Sequence, residues 1–516
     1  MSLPAGVTAS SAETLRFVLD GRVVCIDRPP PTMTLLDYLR EVAGRRGTKE
    51  GCAEGDCGAC TVVLGELSSR GIDLSSRGIT YRAVNSCIRF LPTLDGKELI
   101  TVESLQQPSG TPHPVQQSMI DHHASQCGFC TPGFVMSLFA LYQQRTQASR
   151  EEVLEALTGN LCRCTGYRPI IDAGMRQGDY PEPDRWSRED ARSAQRLDTL
   201  ERLADERDAG ASLRYPGYHA PRTLDELSAA LLAHPDAVVL AGGTDVGLWV
   251  TKQLRELPHL IFLGDVPELA VIENRRKELW IGAAVTLTDA WPALLRRFPE
   301  LEEQAARFAS PPIRNSATLC GNLANGSPIG DSIPALIALD ARIELRTGAA
   351  VRRLALEDFY LGYQQKALRK GEFMTGVAIP VAAKGRLLGS FKVSKRIDQD
   401  ISGVCATFCV SLDGERVRSA RLAYGGMAAT ACRARHAERA LIELGWSSAG
   451  IEASSAALAV DFTPLSDLRA SGAYRLEAAG NLLRRFFLQS QGERAALRTG
   501  DALRTGDALR IGSAAR

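Results

Sequence analysis

The stretch 51-GCAEGDCGAC-60 places three cysteines, Cys52, Cys57 and Cys60, within ten residues, among glycines at 51, 55 and 58. Three thiolates are one short of a closed four-ligand site. The next cysteine is Cys87, which ends the strand-like run RAVNSC. One tight loop therefore offers three sulfurs, and a separate segment brings the fourth. The three glycines allow the loop to turn closely and leave backbone N–H groups free to point at sulfur.

The spacing C-x4-C-x2-C with a distant fourth cysteine is that of plant-type [2Fe–2S] sites. Zinc favours paired C-x2–4-C spacings, so a redox cluster is the better reading. Just upstream, TLRFVLDGRVVCI (14–26) reads as two strands about an Asp20-Gly21 turn. TMTLLDYLREVA (32–43) has helical periodicity with Thr34 as its cap. TVVLGEL and RAVNSCIRFLPTLDGKELITVE add strands, giving a small α+β domain over 13–95.

From about Pro114 to Met175 the pattern turns helical, in VQQSMIDHHASQC, TPGFVMSLFALYQQ and REEVLEALTGNLC, with Pro132 suited to a helix start, and marks a helical domain over 96–175. This segment carries Cys127 and Cys130 in QCGFCTPG, then Cys162 and Cys164 in NLCRCTGYRP. Taken alone the four thiolates also suit zinc, although a C-x-C pair is awkward on a tetrahedral ion. Beside a ferredoxin-like domain, a second cluster is favoured, and two one-electron centres in series make a wire.

Residues 176–212 are charge-rich and poor in large apolar side chains, which predicts a linker with at most one exposed helix. Globular α+β composition resumes over 213–385 and again over 386–490. The end, ALRTGDALRTGDALRIGSAAR, repeats a six-residue unit and predicts a disordered or weakly helical tail over 491–516. A net charge of +1 gives no footprint for nucleic acid or an anionic membrane. No apolar run approaches the ~20 residues that span a bilayer, and no basic-then-apolar leader opens the chain, so the expected location is cytoplasmic. The remaining cysteines, Cys25, Cys320, Cys405, Cys409 and Cys432, read as small buried hydrophobes.

Two segments have the composition of ligand-lining loops. AGGTDVG (241–247) is a glycine turn between a strand and a helix, able to present N–H groups to a pyrophosphate or to serve as an ordinary turn. FASPPIRNSATLCGNLANGSPIGDSIPAL (308–336) is dense in small and amide residues.

Together, GCAEGDCGACTV, SQCGFCTPG and GNLCRCTGYRPI resemble the two-cluster iron–sulfur domains of the molybdenum hydroxylase family, which includes xanthine dehydrogenases, aldehyde oxidases and carbon monoxide dehydrogenases. The two later segments resemble that family's FAD domain. The resemblance implies a multidomain α+β chain with four parts: a β-grasp [2Fe–2S] domain, a helical-bundle [2Fe–2S] domain, an FAD-binding domain of the vanillyl-alcohol-oxidase (PCMH) type, and a C-terminal flavoprotein domain. It assigns Cys52, Cys57, Cys60 and Cys87 to the cluster on the flavin side. Cys127, Cys130, Cys162 and Cys164 go to the cluster nearest the molybdopterin, with Gln126 close by. It assigns FAD to Val239, Leu240, Ala241, Gly242, Gly243, Thr244, Asp245 and Val246, then to Phe308, Thr318, Leu319, Cys320, Gly321, Asn322, Asp331, Met374 and Lys392. Asp398 to Asp400 would lie on a loop beside the ring, and Tyr363 near the nicotinamide. Gly243 stands where animal relatives have an amide, and Cys320 where glycine is commoner, so contacts at those two positions need not carry over.

The resemblance further implies the iron–sulfur/FAD subunit of a bacterial-type xanthine dehydrogenase. Such a subunit relays electrons from a molybdopterin-binding large subunit to NAD⁺, within a dimer of heterodimers. An electron-transfer subunit for another aldehyde or N-heterocycle hydroxylase, or a self-contained NADH-dependent reductase, are the alternatives. No catalytic acid or base is assigned to this chain.

Overall fold

Thr14–Leu19 and Arg22–Asp27 pair antiparallel through Asp20 and Gly21, at φ 55° and 76°. Positive φ at both central residues is the two-residue hairpin geometry that Asp-Gly supplies. The structure, a computed structural model, describes residues 12–68, 78–187, 191–381, 385–397 and 399–492, with backbone alone at 191–193. The repeat tail and Asp398 lie outside the described residues. Two compact units result: residues to 270 with 311–317, and 271–310 with 318 onward.

In the first unit the hairpin joins a five-stranded sheet. Its order is Arg22–Asp27, Thr14–Leu19, Glu98–Ile100, Thr61–Leu67, Ile79–Asn85. Thr14–Leu19 and Glu98–Ile100 run parallel, and the other neighbours antiparallel. A short helix, Leu35–Asp37, is capped by Thr34 Oγ1 accepting the Asp37 N–H at 3.1 Å and continues as the π-turn Tyr38–Val42. Leu35, Tyr38 and Leu39 cover one sheet face with Leu15, Phe17, Val62 and Leu64, completing the β-grasp. Val63 and Ile100 point to the other face and pack with Phe134, Leu138 and Phe139 of the helical domain. The strand period of two thus buries the sheet on both sides.

The helical domain consists of Pro114–Asp121, Thr131–Gln144, Arg150–Leu157 and Arg168–Arg176. Beyond it, the expected linker is instead a packed strap. Trp186 is 1% exposed within the helical core, and its Nε1 donates to Ser104 O at 2.9 Å. Ala191–Ala209 is a helix whose Leu200 and Leu203 pack on Val18. The composition misled because two leucines at i, i+3 suffice to seat a helix whose arginines also bury their stems: Arg196 lies 4.5 Å from the Trp186 ring centre, and Arg207 pairs with Asp265 at 3.3 Å. A small sheet of Leu213–Tyr215, Tyr218–Ala220, Leu260–Phe262 and Val238–Leu240 closes this unit.

The strap and sheet bury one anomalous carboxyl. Glu98 is fully buried, and neither carboxyl oxygen has a hydrogen-bond partner among the described residues. Burial pushes it up to about 7, against the pull of Arg196 and Arg185. A carboxyl titrating there in the fold and near 4.3 unfolded stays neutral where the unfolded chain has already ionised. Its contribution is complete below about pH 4 and drains away as pH rises through 7. Glu98→Gln is therefore expected to flatten the pH dependence of stability and to gain about 3 kcal/mol over the parent at pH 8. Urea unfolding at pH 5 and pH 8 measures this; an unchanged slope would contradict it.

In the second unit one sheet runs Ile272–Asn274, Glu278–Gly282, Phe373–Pro380, Arg342–Thr347, Ala350–Ala355. Another runs Arg386–Val393, Val404–Asp413, Arg416–Gly425, Cys432–Arg433, and its core includes side chains from the helices Arg435–Leu444, Ser448–Asp461 and Gly472–Ser490. Cys320 and Cys405 are buried, while Cys409 and Cys432 are partly so. Cys25 departs from the expectation: it lies exposed on the edge strand Arg22–Asp27, where one face has no partner layer.

Candidate redox centres

The loop of Cys52, Cys57 and Cys60 is pinned at both ends before any metal is considered. Thr61 N and Oγ1 both donate to Gly58 O, at 3.1 and 2.7 Å, and Ser86 Oγ donates to Cys60 O at 2.6 Å. The strand ends carrying Cys60 and Cys87 are thereby brought together, with sulfurs 3.3 Å apart. Gly55 and Gly58 have φ of 82° and 71°, and a Cβ on Gly51 would stand 2.7 Å from Cys57 Sγ. The glycines of the motif are thus required by the fold of the loop itself.

Each sulfur reaches another: Cys57 to Cys52, Cys52 to Cys87, and Cys87 to Cys60. Hydrogen bonds from the Cys57 and Cys87 thiols hold Cys52 far below the ordinary thiol range, and the protons of Cys57 and Cys87 are correspondingly held tight. Cys52 Sγ also accepts the Asp56 and Cys57 N–H groups at 3.3 and 3.4 Å. Four thiols gathered together, with backbone N–H groups donating to Cys52 Sγ, form a donor set that fits a [2Fe–2S] cluster.

The second set repeats the pairing. Cys127 and Cys164 reach each other at the surface, and Cys130 and Cys162 reach each other inside. Burial, then the Cys162 thiolate, pushes Cys130 up to about 12. Cys162 is pushed up by burial but brought net down by hydrogen bonds, first from the Thr165 hydroxyl. The turn after it is tied back: Cys162 N donates to Tyr167 Oη at 2.9 Å. The two sets are stitched together. Leu161 N, next to Cys162, donates to Cys57 O at 2.9 Å. A Cβ on Gly133 would meet Gly58 O at 2.1 Å, and one on Gly58 would meet Gly159 O at 2.3 Å.

The first flavin segment lies in the same unit. Val239 and Leu240 end the strand Val238–Leu240, Ala241 to Asp245 form the turn, and Val246 opens the helix Val246–Thr251. Gly243 has φ 76°. Gly242 and Gly247 answer to protein contacts: a Cβ would stand 1.9 Å from Ser316 O and 2.5 Å from Ile88 O, respectively. Ile88 follows Cys87, and Thr251 Oγ1 donates to Ala53 O at 2.8 Å, so this turn abuts the loop of Cys52 to Cys60.

The other predicted flavin residues fall in the second unit. Phe308 tilts against Trp291 with ring centres 5.7 Å apart. Thr318 caps the helix Leu319–Asn325 by accepting the Gly321 N–H at 2.9 Å, and Asn322 Oδ1 accepts from Ser332 Oγ at 2.5 Å. Leu319 and Cys320 are buried, with Cys320 Sγ directed to Ile281 O at 3.8 Å, so these two side chains face the core. Asp331 and Lys392 form a buried ion pair of 2.7 Å, joined by Ser402 Oγ at 2.6 Å. Met374 is buried in Phe373–Pro380, Tyr363 is exposed, and Asp400 accepts the Arg396 N–H at 2.9 Å. Beside Phe308, Ser310 Oγ and Trp291 Nε1 are buried without partners among the described residues, which suits a polar heterocycle bound against them. Sequence reasoning missed Arg307, which donates to Lys392 O and Ser394 Oγ at 2.7 and 2.9 Å and so fixes the start of the loop holding Asp400. An arginine beside a small-residue loop gave no signal of that role.

Four domain families match in succession: "2Fe-2S iron-sulfur cluster binding domain" at residues 17–89, "[2Fe-2S] binding domain" at 101–175, "FAD binding domain in molybdopterin dehydrogenase" at 211–382, and "CO dehydrogenase flavoprotein C-terminal domain" at 389–490. A xanthine dehydrogenase of Emericella nidulans is 33% identical over 507 residues, covering 87% of this chain and 36% of that protein. Aldehyde oxidase 2 of Cavia porcellus is 31% identical, covering 84% and 36%. The chain thus spans little more than a third of these relatives. Among solved structures, carbon monoxide dehydrogenase from Hydrogenophaga pseudoflava aligns at TM-score 0.50 and 29% identity, covering 54% of this chain and 96% of that one. Quinoline 2-oxidoreductase from Pseudomonas putida 86 aligns at 0.50 and 27%, covering 54% and 98%. No described helix is long and apolar enough to cross a membrane.

Proposed function

Because this chain belongs to the molybdenum hydroxylase family as its iron–sulfur and FAD portion, we propose that it is the electron-relaying subunit of a xanthine dehydrogenase that reduces NAD⁺. A separate molybdopterin-binding subunit hydroxylates the purine with water and releases two electrons, and the pairs assemble as a dimer of heterodimers. Bound to this chain, the clusters carry single electrons, and the flavin stores two and passes a hydride to NAD⁺.

One observation carries the reading. The helical-domain sulfurs Cys127 and Cys164 are exposed, beside Phe129 at 48% and Leu161 at 45% exposure, while the ferredoxin-type loop abuts the glycine turn of the flavin segment. Electrons can enter at an apolar rim and leave on the flavin side. Large apolar side chains beside reactive sulfur suit a permanent protein partner better than water.

The double variant Phe129→Asp, Leu161→Asp tests this. It is expected to lose the molybdenum partner on purification and to cut xanthine-driven NAD⁺ reduction at least about tenfold, the penalty of charges in a hot-spot contact. NADH-to-dye activity should persist. Retained co-purification with full xanthine turnover would contradict the reading. The likeness to quinoline 2-oxidoreductase supports a second reading, in which the partner hydroxylates another N-heterocycle. Assaying the purified complex with xanthine, quinoline and aldehydes distinguishes the two.

A further inference from the structure

We propose that the Thr165 hydroxyl sets the reduction potential of the helical-domain cluster by donating a hydrogen bond to the Cys162 sulfur. Thr165 Oγ1 stands 3.2 Å from Cys162 Sγ and accepts the Tyr167 N–H at 3.1 Å. A hydroxyl has one hydrogen and two lone pairs. With a lone pair engaged by Tyr167, the hydrogen is free for sulfur, and a metal-bound thiolate can only accept it.

The geometry is held from both sides. Gly166 and Tyr167 adopt φ of 71° and 68°, folding the turn back so that Tyr167 Oη receives the Cys162 N–H at 2.9 Å. Tyr167 thus ties the Thr165 hydroxyl, through its N–H, and Cys162 N, through its Oη, into one six-residue turn, and Cys162 is only 8% exposed. Shielded from water, a donor to a charged sulfur acts at close to full strength. The ferredoxin-type set is served differently: the side-chain donor there, Asn85 Nδ2, is 3.9 Å from Cys60 Sγ.

Reduction adds one negative charge that the ligand sulfurs share, so a donor to sulfur favours the reduced form and raises the potential. The two clusters thereby differ in a term that one side chain controls. A higher potential there eases uptake of the electrons that enter at Cys127 and Cys164. This rests on the two-cluster assignment.

The test is an EPR-monitored redox titration of the whole complex carrying Thr165→Val, with Thr165→Ala as the smaller replacement and Thr165→Ser as the conservative one. Valine and alanine are expected to shift the helical-domain cluster to lower potential and leave the ferredoxin-type cluster where it was; serine should restore the parent value. An unshifted helical-domain cluster, or equal shifts in both clusters, would overturn the proposal. A parent protein short of iron would instead remove the assignment beneath it.

Discussion

Gly133→Val is expected to empty both cysteine sites of iron. An added Cβ would stand 2.1 Å from Gly58 O and 3.0 Å from Gly58 C, both backbone atoms, so no flexible side chain can yield. Gly58 lies between Cys57 and Cys60, and Gly133 lies one turn past Cys130 in Thr131–Gln144. Whichever backbone moves, one of the two cysteine segments moves with it. Overpacking of this kind costs about 1–3 kcal/mol even where a core can adjust. Any adjustment here falls beside the Leu161 N to Cys57 O bond, at 2.9 Å, that stitches the two sets. Iron analysis and visible absorbance after anaerobic purification measure the outcome. A variant that keeps its full iron and its thermal midpoint would show that the close approach of these two backbones is dispensable.

The second large effect belongs to the other unit. Lys392→Met is expected to destabilise it by about 3–5 kcal/mol, because removing one partner of a buried pair strands the other charge. The Lys392 and Asp331 side chains are 3% and 7% exposed, and Asp331 would be left with Ser402 as its side-chain partner. Restoring neutrality with the double variant Lys392→Met, Asp331→Asn should recover much of the loss, giving a strong coupling in the double-mutant cycle. Urea unfolding of the flavin-free chain reads this directly, and FAD retention read in parallel reports on the flavin roles assigned to the pair. Equal stability of parent and single variant would mean that the pair contributes nothing to the fold.

Much of this was legible in the sequence because ligand chemistry constrains spacing. The C-x4-C-x2-C loop, its distant Cys87 and the two close pairs Cys127/Cys130 and Cys162/Cys164 announce two four-sulfur sites, and the Asp20-Gly21 turn and the Thr34 cap announce their elements. What escaped is what depends on tertiary contact. The 176–212 segment looks like a linker by charge, yet Trp186, Leu200 and Leu203 seat it against the domains before it. Gly242 reads as an opening for phosphate, yet its bare Cα is already demanded by Ser316 O. Asp331 and Lys392 read as separate ligand contacts, and only the fold reveals that they hold each other. Thr165 is one letter in CRCTG until the turn carries its hydroxyl to sulfur.

The most direct measurement is the metal, sulfide and flavin content of the full-length chain purified anaerobically. Two [2Fe–2S] sites and a flavin site require about four iron, about four acid-labile sulfide and a single FAD per chain. Zinc in place of iron, with no visible absorbance, would contradict an electron relay.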